Sequence, residues 1–199
     1  MEAKFLIVGL GNPGAEYENT PHNLGFLVID ELAERNQIRV SRPESKAFAG
    51  VGQISGQPVV LAKPQTFMNL SGGSVKGLLE KYALTAADLI VIYDEMDLPW
   101  TSVRIRKDGS AAGHNGIRSL ISSLGTDRFV RVRLGVDPGD RAKRGASHVL
   151  GRFRPSQAKD VEELRRFAAE AVESILAEGA EKAMTRFNRR AQGSNEEDK

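Results

Sequence analysis

The sequence predicts a single-domain, three-layer α/β/α protein built on a twisted, mixed, largely parallel sheet. Three observations carry this. Short apolar runs of strand length, Phe5 to Val8, Val59 to Ala62 and Leu89 to Tyr93, alternate with stretches whose apolar residues recur at helical spacing. The connection Ser55-Gly56-Gln57-Pro58 is too short for a crossover helix, so some neighbouring strands must be antiparallel. The apolar runs end abruptly in Gly, Asn, Pro or acidic residues, the place where open α/β sheets collect their ligands.

Taken in order, Phe5 to Val8 is a buried strand that turns at Gly9-Leu-Gly-Asn-Pro-Gly14. Glu16 to His22 is loop. Leu24, Leu27, Val28 and Leu32 mark a helix ending near Asn36. Ala47 to Ile54 alternates as a half-buried strand, and Val59 to Ala62 follows across a tight turn. Ser71 or Ser74 caps a helix running to Tyr82. Leu89 to Tyr93 is the most apolar strand and therefore central; it ends at Asp94-Glu95-Met96-Asp97-Leu98-Pro99. Val103 to Arg106 reads as an outer strand, Gly109 to Gly113 as a flexible loop. A helix capped by Asn115 runs to Leu124 and closes at Gly125. Phe129 to Val136 alternates strictly, with Arg131 and Arg133 giving one basic face; Asp137 to Ser147 is polar loop. Ser156 opens a long helix with an apolar stripe from Val161 to Leu176, and Gly179 separates it from a further helical segment carrying Met184 and Phe187. One domain thus spans residues 1–191, and the Gly, Ser and acid-rich residues 192–199 form a disordered tail.

The chain has no cysteine, which excludes disulfides and thiolate metal sites and fits a cytoplasmic protein. No apolar run is long enough to span a bilayer. Net charge is only +2, but between Thr101 and Arg154 twelve basic residues face four acidic ones, and nearly all are arginine. Arginine's planar fork suits phosphate, so this stretch is either a solvated face or the footprint of a polyanion.

Gly9-x-Gly11-x-x-Gly14 spells a dinucleotide-binding fingerprint, but that site needs a helix starting inside the motif. Ala15 to Pro21 has no helical periodicity, and the acid at Asp30 lies within a helix rather than at a strand end. The glycines are better read as permitting a tight turn that fixes Asn12. His22, alone, would pass for a capping or core histidine. Beside the carboxylates that end the central strand it has a second reading, a general base oriented by an acid. Asp94, Glu95 and Asp97 also offer a divalent-cation site. A nucleophilic mechanism has no cysteine and no Gly-x-Ser-x-Gly elbow. Asn12, Asn69 and Asn115 each stand in a turn, and an amide's paired donor and acceptor match a peptide group.

The ordered motifs Gly9-Leu-Gly-Asn-Pro-Gly14, Glu16-Tyr17, His22-Asn-x-Gly25, Lys63-Pro-x-Thr66-Phe-Met-Asn-Leu-Ser-Gly72, Asp94-Glu-x-Asp97-Leu-Pro99, Gly113-His-Asn-Gly116 and Arg131-x-Arg133-x-Gly135 resemble those of the bacterial-type peptidyl-tRNA hydrolases. The resemblance runs from Lys4 to Phe153. It implies a monomer, needing no metal or other cofactor, that cleaves the ester joining a peptide to the 3′ ribose of tRNA. By motif position it makes His22 the base and Asp97 the acid that holds it, and gives Asn12 the choice of N-blocked substrates. Tyr17, Phe67, Met68, Asn69, His114 and Asn115 become substrate contacts, and Arg106, Lys107 and Arg133 receive the acceptor stem and 3′ end of tRNA. Three positions depart from the family pattern: Pro21 before the histidine, Trp100-Thr101 in place of a glycine-containing turn, and Ala112 in place of a glycine. An RNA-binding module without catalysis and a Mg²⁺-dependent phosphoesterase using Asp94, Glu95 and Asp97 are the competing classes.

Overall fold

The computed structural model describes residues 2–193. Seven strands form one mixed sheet in the order β2-β3-β4-β1-β5-β7-β6: β1 (Phe5–Gly9), β2 (Arg42–Glu44), β3 (Ala47–Ile54), β4 (Gln57–Pro64), β5 (Leu89–Pro99), β6 (Val103–Arg106) and β7 (Val130–Asp137). The four central strands, β4, β1, β5 and β7, are mutually parallel. The antiparallel pairs flank them, β2 with β3 and β3 with β4 on one side, as their short connections require, and β6 with β7 on the other, joined across residues 107–129.

The pleat sends alternate residues to opposite layers. Ile7, Ile90 and Ile92 pack under α1 (Leu24–Asn36), α5 (Ala158–Glu178) and α6 (Ala180–Gly193). Leu6, Val8, Leu89, Val91 and Tyr93 pack under α2 (Ser71–Lys81) and α3 (Asn115–Leu124). Each fully buried Leu or Ile in these two layers contributes about 1.5–3 kcal/mol. A short helix, α4 (Ala146–Leu150), begins at the end of the expected polar loop 137–147 and runs beyond it.

β1 is flanked by β4 on one side and β5 on the other, so the chain leaves it in one direction and returns past it in the other. This switch point puts a crevice beyond the carboxyl ends of β1, β4 and β5. The start of α1 presses onto this region. A Cβ on Gly25 would fall 2.4 Å from both the Leu10 nitrogen and the Ile92 oxygen, and one on Gly9 would fall 2.1 Å from the Gly25 oxygen. These two glycines therefore serve close backbone approach. No nucleotide motif is formed: only a single 3₁₀ turn, Ala15–Tyr17, follows Gly14, and Asp30 pairs with Lys63 at 2.6 Å.

Four expectations are corrected. β5 continues through the acidic residues to Pro99, well beyond the expected end at Tyr93. α3 is capped by the His114 side chain, which accepts from Gly116 and Ile117, rather than by Asn115. Arg131 is buried at 1% exposure and forms no part of a basic outer face. Helix α6 extends to Gly193, so residues 192 and 193 are helical; the rest of the expected tail, 194–199, lies outside the described residues.

Candidate active site

The crevice is a cleft of about 520 Å³. It is lined by Asn12, Tyr17, His22, Phe67, Met68, Asn69, Asp94, Glu95, His114 and Asn115, with Ala146, Val149 and Leu150 of α4 along one wall. A larger concavity of about 790 Å³ lies between α1 and α5, where arginines mix with Glu31, Glu34 and Glu162; it includes none of these residues.

Asp94 stands at the centre, almost wholly buried. Its Oδ2 lies 2.7 Å from His22 Nδ1 and its Oδ1 lies 2.9 Å from His114 Nε2. The protonation pattern follows from the far side of His114. Its Nδ1 accepts the backbone N–H groups of Gly116 at 3.1 Å and Ile117 at 3.3 Å, so that nitrogen carries no proton. A neutral imidazole must then carry its proton on Nε2, which donates it to Asp94 Oδ1. The other carboxylate oxygen accepts from His22 Nδ1–H, which leaves His22 Nε2 with a free lone pair. Burial alone would raise the Asp94 pKa, but the electrostatic attraction of the His114 and His22 rings and their hydrogen bonds outweigh it and hold the carboxyl well below the usual range.

Asp97 does not take part. It is 64% exposed, and its nearest charged partner is Arg144 at 3.5 Å, which also binds Asp137 at 2.7 Å. The physical reason is the strand: successive residues alternate faces, so a residue three positions on from Asp94 points the other way, along a stretch of β5 that is irregular between Glu95 and Pro99. The carboxylate that meets the histidine is therefore Asp94. Nor do Asp94, Glu95 and Asp97 form a cation site. Glu95 faces Arg133 at 3.7 Å, and among the described residues the one cluster with metal-ligand spacing is His22, Asp94 and His114. Those three already satisfy each other by hydrogen bonds.

Asn12 is fixed from both sides. Its backbone N–H donates to Asn23 Oδ1 at 2.8 Å, its carbonyl accepts from Asn23 Nδ2 at 2.9 Å, and its own Oδ1 accepts from the Met68 N–H at 2.7 Å. The Asn12 Nδ2 amide is the group these bonds leave over. Asn23 was missed as a site residue; its place directly after His22 was the only signal. Met68 is buried, while Phe67, 57% exposed, stands as a large apolar side chain at the cleft rim. Leu150, 40% exposed, stands on the α4 wall.

Arg106, Lys107 and Arg133 do not line the cleft. They lie on β6, just after it, and on β7, and Glu95, a cleft residue, faces Arg133. Lys107 is engaged by Glu181 at 2.6 Å. Burial lowers the Arg133 pKa; Tyr93 and Glu95 oppose this, while Arg106 and Arg104 reinforce it. The Nε atoms of Arg104 and Arg133 are buried without a hydrogen-bond partner.

The sequence model for the family described as peptidyl-tRNA hydrolase matches residues 6–196. A peptidyl-tRNA hydrolase of Solibacter usitatus is 56% identical over 194 residues, covering 98% of this chain and 99% of its own. One from Halalkalibacterium halodurans is 46% identical over 183 residues, covering 92% and 99%. The crystal structure of peptidyl-tRNA hydrolase from Acinetobacter baumannii superposes with a TM-score of 0.85 at 32% identity, covering 94% of this chain and 96% of that one. Among the described residues no helix is long and apolar enough to cross a membrane. The motif order, the sheet and these relatives agree: the chain belongs to the peptidyl-tRNA hydrolase family, hydrolases that act on the ester of peptidyl-tRNA.

Proposed function

We propose that His22 is the general base of this hydrolysis and that Asp94, locked by His114, holds it in the basic tautomer. The observation that carries the reading is the His22–Asp94–His114 chain, whose only unprotonated, unengaged ring nitrogen is His22 Nε2. A water beside Nε2 gives up its proton as its oxygen attacks the ester carbonyl. The tetrahedral intermediate collapses, and the ribose 3′-oxygen leaves with the proton returned from Nε2. Such base catalysis contributes about 10² to 10⁴ in rate. The Asn69 and Asn115 amides line the same cleft and can donate to the developing oxyanion. The Asn12 Nδ2 amide can recognise the acyl carbonyl of an N-blocked residue, a group a free aminoacyl ester lacks.

Arg104, Arg106 and Arg133 form the phosphate-binding flank for the acceptor stem and 3′ end. Arg104 and Arg106 crowd Arg133, whose recorded acid partner is Glu95, and this surplus of positive charge favours a polyanion. Lys107 joins them only on release from Glu181. The enzyme acts as a cytoplasmic monomer, organised as one catalytic domain over residues 1–191, and the chemistry is complete without a metal.

The test compares release of N-acetyl-aminoacyl and free aminoacyl groups from tRNA with EDTA present. The reading predicts cleavage of the first and not the second, unchanged by the chelator, with affinity for tRNA falling steeply as salt rises. Equal cleavage of both esters, or activity recovered only with added metal, would overturn it.

A further inference from the structure

The motif Arg131-x-Arg133 contains one arginine that the phosphate-binding reading leaves unused. Arg131 is 1% exposed near the start of β7. None of its recorded partners is a carboxylate, an unusual setting for a buried cation. Its guanidinium instead donates to three backbone carbonyls: Ser110 at 2.9 Å, Asp127 at 2.8 Å, and Gly109. Its charged face lies 4.4 Å from the Phe129 ring centroid.

The three carbonyls have a common meaning. Gly109 and Ser110 belong to the loop that enters α3, and Asp127 to the loop that leaves it. One side chain therefore ties both ends of the α3 excursion to the sheet. The entering loop needs such an anchor. Gly109, Ala112 and Gly113 have φ of 130°, 47° and 82°, and its one internal backbone bond is His114 N–H to Ala111 at 2.9 Å. The loop delivers His114 and Asn115 to the cleft. His114 is also braced by the buried Tyr93 ring, whose centroid is 5.0 Å away. Arg131 sits beside Tyr93 as well, opposing the rise that burial imposes on its phenol.

We propose that Arg131 is a positioning residue for the reaction: it clamps the two loops around α3 so that His114 meets Asp94 and, through it, His22. The inference rests on the catalytic reading above. Displacement of a positioned group by about an ångström can cost about 10²-fold in rate, so the clamp acts on turnover rather than on substrate capture. Lysine retains the charge but not the planar fork, and reaches fewer of the three carbonyls.

The experiment measures kcat and KM for N-acetyl-aminoacyl-tRNA with Arg131→Lys and Arg131→Ala, well below their melting temperatures, alongside His22→Ala. The expected result is a kcat loss of about tenfold or more for Arg131→Ala with KM little changed, and a smaller loss for Arg131→Lys. Added guanidinium ion at sub-denaturing concentration should restore part of the Arg131→Ala rate by filling the vacated site. Unchanged kcat in Arg131→Lys, or a lowered melting temperature in either variant with kcat retained, would reduce Arg131 to a structural residue and overturn the proposal. Should Arg131→Ala fail to fold, Arg131→Lys decides alone. Should His22→Ala retain its rate, the catalytic reading itself fails, and that outcome is read separately from the arginine variants.

Discussion

Replacing Asp94 by Asn keeps the shape of the central side chain and exchanges one acceptor oxygen for a donor amide. The structure determines which way that amide must turn. His114 Nδ1 is occupied as an acceptor by Gly116 and Ile117, so His114 Nε2 carries a proton and requires an acceptor opposite it. In the Asp94→Asn variant the side-chain carbonyl oxygen must therefore face His114, and the new NH₂ must face His22 Nδ1, which lies 2.7 Å from the carboxylate in the parent. Two donors cannot meet, so His22 shifts its proton to Nε2, the nitrogen needed as base. Turnover should fall by about 10² to 10⁴, the whole contribution of base catalysis. Single-turnover deacylation of N-acetyl-aminoacyl-tRNA measures the loss, and ¹⁵N shifts of His22 report the tautomer directly. In a His114→Ala background the amide is free to flip, so the double variant should lose less than the product of the two single losses. Asp97→Asn, altering an exposed carboxylate on the other side of the strand, should stay within about twofold of the parent, as surface ion pairs of this kind are worth little. An Asp94→Asn enzyme within about fivefold of the parent would refute the reasoning, because base catalysis is then not under Asp94's control.

Three further outcomes follow from the geometry. Thr101, at the family's usual glycine-containing turn, has a left-handed φ of 68°; Thr101→Gly should stabilise the fold by about 1 kcal/mol, read as a rise in melting temperature with activity intact. Asn188 pairs the outer edge of β6, accepting the Ile105 N–H at 2.9 Å and donating to its carbonyl at 3.2 Å; Asn188→Ala should cost about 1–2 kcal/mol in denaturant unfolding and weaken tRNA binding through the loosened Arg104 and Arg106. Asp94 binds a proton more weakly folded than unfolded, so its stabilisation is fully present above its ordinary value of 3.8 and is lost as pH falls through the depressed folded value. Acid unfolding of the parent should therefore be steeper below that pH than that of Asp94→Asn.

The parts of the fold read correctly from sequence are those where local pattern and tertiary demand coincide. Ile7, Ile90 and Ile92 alternate with Val8, Val91 and Tyr93 because both faces of the sheet are covered, and the turns at Gly56 and Gly125 have the positive φ that glycine suggests. The failures share one cause: a polar residue was judged by itself, while its place depends on a distant partner. Asp94 and Glu95 look like the end of a strand, yet β5 runs on through them because His22, His114 and Arg133, all remote in sequence, accommodate their charges. Motif position alone points to Asp97, and only the alternation of β5, which runs on to Pro99, separates it from Asp94. Arg131 looked like a surface residue for the same reason, since its three carbonyl partners lie on loops. His114 was displaced as the cap of α3 by Asn115, the more usual capping type. The departures at Thr101 and Ala112 were visible as missing glycines, and both residues adopt the left-handed backbone that glycine would take without strain. Pro21 occupies the first position of the 3₁₀ turn that carries His22, where a missing N–H costs nothing.

The most direct test of the central claim separates chemistry from binding at His22. Single-turnover ester cleavage and equilibrium binding of uncharged tRNA are measured on the parent and on His22→Ala at the same salt. The account predicts that cleavage falls by about 10² or more while tRNA affinity stays within about twofold. Retained cleavage, or a loss of tRNA binding as large as the loss of rate, would contradict it.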